Sequence, residues 1–327
     1  MSHRSNVLLG LVIDQYLTTA SPVSSNSIFQ SKTLSVSSAT IRGELARLED
    51  GGFITHKHTS SGRIPCDLGY RHYVKDIMRE EPPSFKERLT IEHQMHQVQG
   101  NIDRRIAITA SVLAGLIKNA VVITKKYQPS ALDDIKLFDI LPGRILILVV
   151  FVDGVVKKQL VDKRTSFIIR MTPSIESLNK LIKNYFFNRE ANKKMEFVND
   201  SLIMTIQSVI SGEEEGIINE EIIIEGATHL MAQPEFETKE SMLTTYDALA
   251  SLKYEPFTIQ KTHKKQRVSV SIGEEIPKNQ FKNLSVVSTD YKIRDAASGK
   301  IMVIGPKRIS YQKVIPLVRY VSNLLSN

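Results

Sequence analysis

The sequence predicts an α+β multidomain protein, on three observations. The first 79 residues read as helix, helix, helix, hairpin, helix, and end at a polar, proline-rich break, Glu80-Glu-Pro-Pro-Ser84. Apolar, β-type runs occur in two places, residues 145–161 and 267–304. Between them lies a mainly helical stretch, 172–236, that reads as an insertion into a domain whose strands share one sheet. The expected organisation is therefore a winged helix-turn-helix over 1–79, a linker over 80–84, a discontinuous domain over 85–171 and 237–327, and an inserted domain over 172–236. A chain of 327 residues by itself leads one to expect about two domains.

Each element has a local cause. Val7, Leu8, Leu11, Val12 and Tyr16 recur at helical spacing over 7–17. Ser21 and Pro22 suit the N-cap and first turn of a second helix reaching about Gln30. Ser37 or Ser38 caps a third helix whose buried face is Ile41, Leu45 and Leu48, and Gly51-Gly52 ends it. Phe53 to His58 reads as a strand that turns back at Thr59-Ser-Ser-Gly62, after which Asp67 caps a helix over Leu68 to Arg79. Residues 85–118 carry a roughly heptad seam from Ile91 to Leu116, interrupted at Gly100. Ile145 to Val152 is a buried strand, and Asp153-Gly154 turns it back to Val155–Val161. A helix over 237–253, strands at 267–272, 284–289 and 300–304, and a closing helix from Tyr311 to Leu325 complete the chain.

Composition narrows the class. The net charge of +8 is unevenly spread: 1–79 carry nine Lys/Arg against six Asp/Glu, 80–256 carry 21 against 25, and 257–327 carry 13 against four. Positive charge attracts polyanions at long range, but the most basic segment is the last, so charge alone does not locate a nucleic-acid site. No run approaches the ~18 apolar residues of a membrane span. The run Val7–Ile13 breaks at Asp14 without a small-residue cleavage site, so it reads as a helix rather than a signal peptide. A single cysteine, Cys66, excludes an internal disulfide and a cysteine-based zinc site, and a cytoplasmic location is expected.

The third helix carries the chemistry. A reading helix needs one apolar face for anchorage and short polar or cationic residues on the other, able to enter the major groove. Here Ser37, Ser38, Thr40, Arg42, Gly43 and Arg47 lie at or near the outward side, with Arg42 the best candidate for a bidentate guanine contact. A small helical bundle with a solvated polar face would show the same spacing. The following hairpin argues for DNA: His58, Thr59, Ser61, Gly62 and Arg63 place hydroxyls and cationic groups on one loop, the composition of a wing that meets phosphate or the minor groove. The pairs His56/His58 and His93/His96 each lack a third ligand, and neither metal nor cofactor is expected. Phosphate-loop, nucleophile-elbow and zinc-protease motifs are absent, and no acid, base or nucleophile cluster indicates an enzyme. Cys66 at a helix start would favour a thiolate, though filler or capping is the better reading.

Ser37-Ser-Ala-Thr-Ile-Arg42, Leu48-Glu-Asp-Gly-Gly-Phe53 and His58-Thr-Ser-Ser-Gly-Arg-Ile-Pro65, followed by Asp67 and Gly69-Tyr-Arg71, resemble the heat-inducible transcription repressor family HrcA. Gln233-Pro-Glu-Phe236, Ile272-Gly-Glu-Glu275, Leu284-Ser-Val-Val287 and Ile304-Gly-Pro-Lys-Arg308 with Tyr311 are similar to the family's later blocks. The resemblance implies a winged helix, a GAF-like domain and a dimerisation domain inserted into it. It also implies a homodimer on the inverted-repeat operator of chaperone operons, nucleoid-associated when bound, derepressed by heat and modulated by the chaperonin. Cys66 stands where the family has threonine, which moves the expected helix cap to Asp67. The alternative is a small-molecule-responsive regulator that senses an effector through the GAF-like domain.

Overall fold

The computed structural model describes residues 1–31, 33–34, 36–56, 62–98, 101–127, 131–152, 154–162, 174–187, 200–211, 220–254, 268–293 and 297–326. In chain order its elements are α1 His3–Thr19, α2 Ser25–Gln30, α3 Ser38–Asp50, β1 Ile54–His56, β2 Arg63–Pro65, α4 Asp67–His72, α5 Phe85–His96, α6 Ile102–Ile117, β3 Ala120–Tyr127, β4 Leu132–Leu141, β5 Arg144–Phe151, β6 Val156–Asp162, α7 Ile175–Phe187, α8 Asp200–Ser211, β7 Glu220–Glu225, α9 Ala227–Met231, α10 Lys239–Ser251, β8 Val268–Ile272, β9 Leu284–Ile293, β10 Ala297–Pro306 and α11 Tyr311–Ser326. Among the described residues, no helix is long and apolar enough to cross a membrane.

The chain forms two compact units, one of Met1–Thr124, Ile222–Lys292 and Gly299–Asn327, the other of Lys125–Glu221 with Ile293–Ser298. In the first unit, α1 to α4 pack around Leu8, Leu9, Val12, Ile13, Ile41, Leu45 and Ile54, all at most 1% exposed. The β1–β2 hairpin gains a third, short pairing, because Val23 and Arg63 exchange backbone hydrogen bonds at 2.8 Å. That pairing explains a difference from expectation: the second helix is capped by Ser24 rather than Ser21, since Val23 is extended to meet the hairpin. Beyond it lies a five-stranded sheet in the order β7-β3-β10-β9-β8. One face of this sheet buries Ala120, Val122, Val286, Met302 and Ile304 against Leu230, Phe236, Ala248 and Leu249 of the helices that follow β7.

In the second unit β4, β5 and β6 form their own antiparallel sheet. Ile135, Leu137, Ile145, Ile147, Val149 and Phe151 on one face pack against Leu178 and Ile182 of α7 and Leu202 and Ile206 of α8. The Asn179 amide fastens α7 to β4, accepting from Leu137 N at 2.7 Å and donating to Leu137 O at 3.0 Å. Strands 145–161 and 267–304 could share a sheet on the sequence pattern; among the described residues they lie in two separate sheets. Gly143, at φ +86°, turns β4 directly onto β5, and this local pairing uses the edge that a distant strand would have needed. The heptad seam of 85–118, read as interrupted at Gly100, is carried by two helices, α5 and α6, with Asn101 capping the second.

Candidate nucleic-acid interface

Helix α3 is a rod with one locked and one open face. Ile41 and Leu45 are fully buried and Leu48 nearly so, and the spacing of four and three residues puts them on one side. At its start the Ser37 hydroxyl accepts from Thr40 N at 3.2 Å, which satisfies a free amide of the first turn. At its end Gly51 N–H donates to Arg47 O, and Gly52 takes φ +75°, a left-handed conformation that a side chain would strain. On the open face Arg42, Gly43 and Arg47 are exposed, while Ser38 and Thr40 are half-buried. A methyl group added at Gly43 would meet nothing within 4 Å. The helix therefore presents bare backbone beside an unobstructed guanidinium.

Two carboxylates organise this face, and the spacing argument did not anticipate either. Glu44, on α3 itself, is 7% exposed; it accepts from Arg47 at 2.9 Å and from the Ser5 hydroxyl of α1 at 3.0 Å. Glu49 sits 3.3 Å from His56 Nε2 and 3.6 Å from Arg63 Nε, so it holds both strands of the hairpin to the end of α3. The signal for the first pair was present, since an acid three residues before Arg47 is a helix-face ion pair. The second pair depends on hairpin geometry and had no sequence signal.

The expected wing residues divide. His58, Thr59 and Ser61 lie outside the described residues. Gly62 lies at the hairpin base, where a Cβ would come within 2.6 Å of the Val23 backbone; close approach is thus what requires glycine. The Arg63 side chain is only 15% exposed and lies along Glu49 instead of projecting freely.

Asp67 corrects another expectation. Cys66, without a side-chain hydrogen bond, occupies the N-cap of α4, and Asp67 is the first residue of the helix. Its carboxylate is engaged elsewhere, accepting from Glu274 N at 3.2 Å and pairing with Lys307 at 2.6 Å. The helix expected to run to Arg79 gives way after His72 to a π turn at Tyr73–Ile77. Burial, with Asp67 adjacent, pushes the Cys66 thiol up from its ordinary pKa, so the thiolate is disfavoured.

The family described as "HrcA protein C terminal domain" matches residues 103–315. The heat-inducible transcription repressor HrcA of Herpetosiphon aurantiacus is 31% identical over 340 residues, covering 100% of this chain and 95% of that protein. The chain belongs to the HrcA family of heat-inducible transcription repressors. The HrcA of Chloroflexus aggregans is 30% identical over 351 residues, covering 100% and 92%. A crystal structure of a hypothetical protein at 2.2 Å resolution shares the fold, with TM-score 0.63 at 20% identity over 100% of this chain and 98% of that one. The HrcA C-terminal match begins after α5, so α3 and the hairpin lie outside it; the full-length HrcA relatives include them. As a member of HrcA, the chain is a stress-response transcription repressor.

Proposed function

We propose that the chain represses transcription by seating α3 in the major groove of operator DNA, with the hairpin as a wing on the flanking backbone. The observation that carries this is the Arg42–Gly43 surface, open on a helix whose opposite side is locked by Ile41, Leu45 and Leu48. Arg42 reads a guanine edge; Ser37, Ser38, Thr40 and Arg47 position the helix on phosphates. His58, Thr59, Ser61, Gly62 and Arg63 form the wing contact, Arg63 exchanging Glu49 for phosphate.

The bound form is a homodimer on an inverted repeat, because a two-fold dimer presents two reading helices about one DNA turn, or a multiple of it, apart. The outer face of the β4–β6 sheet supports a second copy. Phe138, Leu146 and Leu160 form one cross-strand row and Val150 and Val156 belong to another, with Phe138 44% and Val156 52% exposed. A contiguous exposed apolar face is the kind of surface that serves association. On this reading the compact unit Lys125–Glu221 with Ile293–Ser298, rather than the helical stretch 172–236 alone, serves as the dimerisation domain, and the five-stranded sheet serves as the GAF-like domain.

By family resemblance the regulated genes are chaperone operons, the chaperonin keeps the repressor competent, and heat releases it. Footprinting upstream of the organism's chaperone operons across a salt series tests the DNA reading. Protection confined to an inverted repeat is the expected result; uniform affinity for any duplex would refute it. Operator affinity measured against temperature, with and without chaperonin, tests the heat reading.

One observation favours the effector-responsive alternative. A cleft of about 830 Å³ lies between the winged helix and the sheet, lined by Tyr16, Cys66, Asp67, Glu235, Thr244 and Arg308 among others. A small molecule that raised the melting temperature and shifted operator affinity together would establish it.

A further inference from the structure

The residues between the winged helix and the five-stranded sheet form a directional clasp. Arg71 makes a fork on Glu275, with Nε to Oε1 at 2.7 Å and Nη2 to Oε2, and Nη2 also donates to Val270 O at 2.7 Å. Asp67 takes the opposite polarity, pairing with Lys307 at 2.6 Å and accepting from Glu274 N. Gly273, at φ +55°, makes room for it: a Cβ there would fall 1.9 Å from Asp67 Oδ2. Tyr70, 2% exposed, packs beside them with its ring 6.2 Å from that of Tyr311. Farther along, Tyr73 donates to Asp14 and accepts from Gln312 Nε2 at 2.6 Å.

The break at 80–84 does not slacken the arrangement. Glu81 N donates to Gln312 O at 2.9 Å, and Arg319 grips Glu80 with two bonds of 2.7 and 2.9 Å. The sequence blocks around Asp67–Arg71, Ile272–Glu275, Ile304–Arg308 and Tyr311 thus converge on one interface.

We infer that Asp67, Arg71, Glu275 and Lys307 are positioning residues that set the orientation of the reading helix, and through it the operator half-site spacing the protein accepts. This rests on the dimeric-operator reading above. Apolar contact alone is non-directional and would let one domain rotate on the other. A bidentate guanidinium–carboxylate pair and a second pair of reversed polarity fix both angle and register. None of the four is placed against DNA, so they act on which spacing is accepted and leave recognition of each half-site intact.

The test measures full-length protein on three kinds of duplex: the native inverted repeat, repeats with the half-sites moved by about two base pairs in either direction, and a single half-site. The variants are Arg71→Met with Lys307→Met, and Arg71→Lys. The native chain should prefer native spacing by roughly tenfold or more, since half-site separation is a geometric constraint. In the double variant that preference should shrink to within about threefold with single half-site affinity unchanged, and Arg71→Lys, which keeps the charge but cannot form the fork, should fall between the double variant and the native chain. Hydrogen exchange at the Glu274 amide, bonded to Asp67, should accelerate in the double variant without DNA present. Undiminished spacing preference in the double variant overturns the inference, as does an equal loss on the single half-site. If the native chain gains nothing from a second half-site, the dimeric reading fails first and takes this inference with it.

Discussion

The hydroxyl of Ser5 on α1 donates to Glu44 on α3 at 3.0 Å, joining residues 39 apart in the chain. This bond accounts for a nearly buried carboxylate on a helix built to meet DNA: Glu44 is neutralised by Arg47 on one side and satisfied by Ser5 on the other. Glu44→Gln weakens both contacts and should lower unfolding stability by about 1 kcal/mol. Arg47 is released by the same change, so operator affinity should hold or rise. Urea melts and fluorescence anisotropy on one preparation decide it; a fall in affinity larger than the fall in stability would contradict this account.

Leu45 and Arg42 separate anchorage from reading. Leu45→Ala removes a fully buried side chain and should cost about 2–5 kcal/mol of stability. Arg42→Ala, at an exposed position, should leave the melting temperature unchanged while discrimination at one base pair drops by about 1–3 kcal/mol. Thermal melts combined with binding to single-base operator variants distinguish the two.

Two glycines give opposite outcomes. At Gly69 a Cβ would sit 2.1 Å from the Phe53 carbonyl oxygen, so Gly69→Ala should destabilise by about 1–3 kcal/mol. At Gly43 there is open space, and Gly43→Ala should stabilise α3 by about 0.5–1 kcal/mol. If the backbone there approaches DNA closely, the same methyl group weakens operator binding. Enhanced stability with undiminished affinity would remove Gly43 from the interface.

The capping box at the start of α5 supplies a pH signature. Ser84 donates to Glu87 from its backbone and its hydroxyl, both at 2.7 Å, which lowers the Glu87 pKa below its usual 4.5. A carboxylate depressed in the folded state contributes stability that is complete above its unfolded pKa and disappears as pH falls through the folded value. The melting-temperature gap between the native chain and Glu87→Gln should therefore be constant above about pH 5 and close on further acidification. A gap independent of pH down to full protonation would show that the hydrogen bonds do not favour the charged form.

The outer face of β4–β6 makes a prediction about assembly. Leu160→Lys puts a charge in the Phe138–Leu146–Leu160 row, 46% exposed at that position, and should convert a dimer to a monomer without unfolding the sheet. Sedimentation velocity together with circular dichroism reads both; an unchanged dimer would place the two-fold contact elsewhere.

Local features were legible in the sequence because local physics produces them. The burial of Ile41, Leu45 and Leu48 follows from helical period, the stop at Gly51-Gly52 from backbone freedom, and the α3 cap from the Ser37 hydroxyl. The motifs of helix and wing were enough to identify the family. What the tertiary structure decided were partners. Val23 reads as part of a helix start, yet it pairs with Arg63 because the hairpin needs a neighbour. Asp67 reads as a helix cap, yet its carboxylate serves Glu274 and Lys307, some 207 and 240 residues away in the chain, and Glu49 collects the two strands of the hairpin. Strands β3 and β7, nearly a hundred residues apart, were invisible until they lay side by side. Periodicity and capping are properties of a few consecutive residues, whereas the choice among competing carboxylates and sheet edges is made by whichever arrangement buries the most apolar surface with its polar groups satisfied.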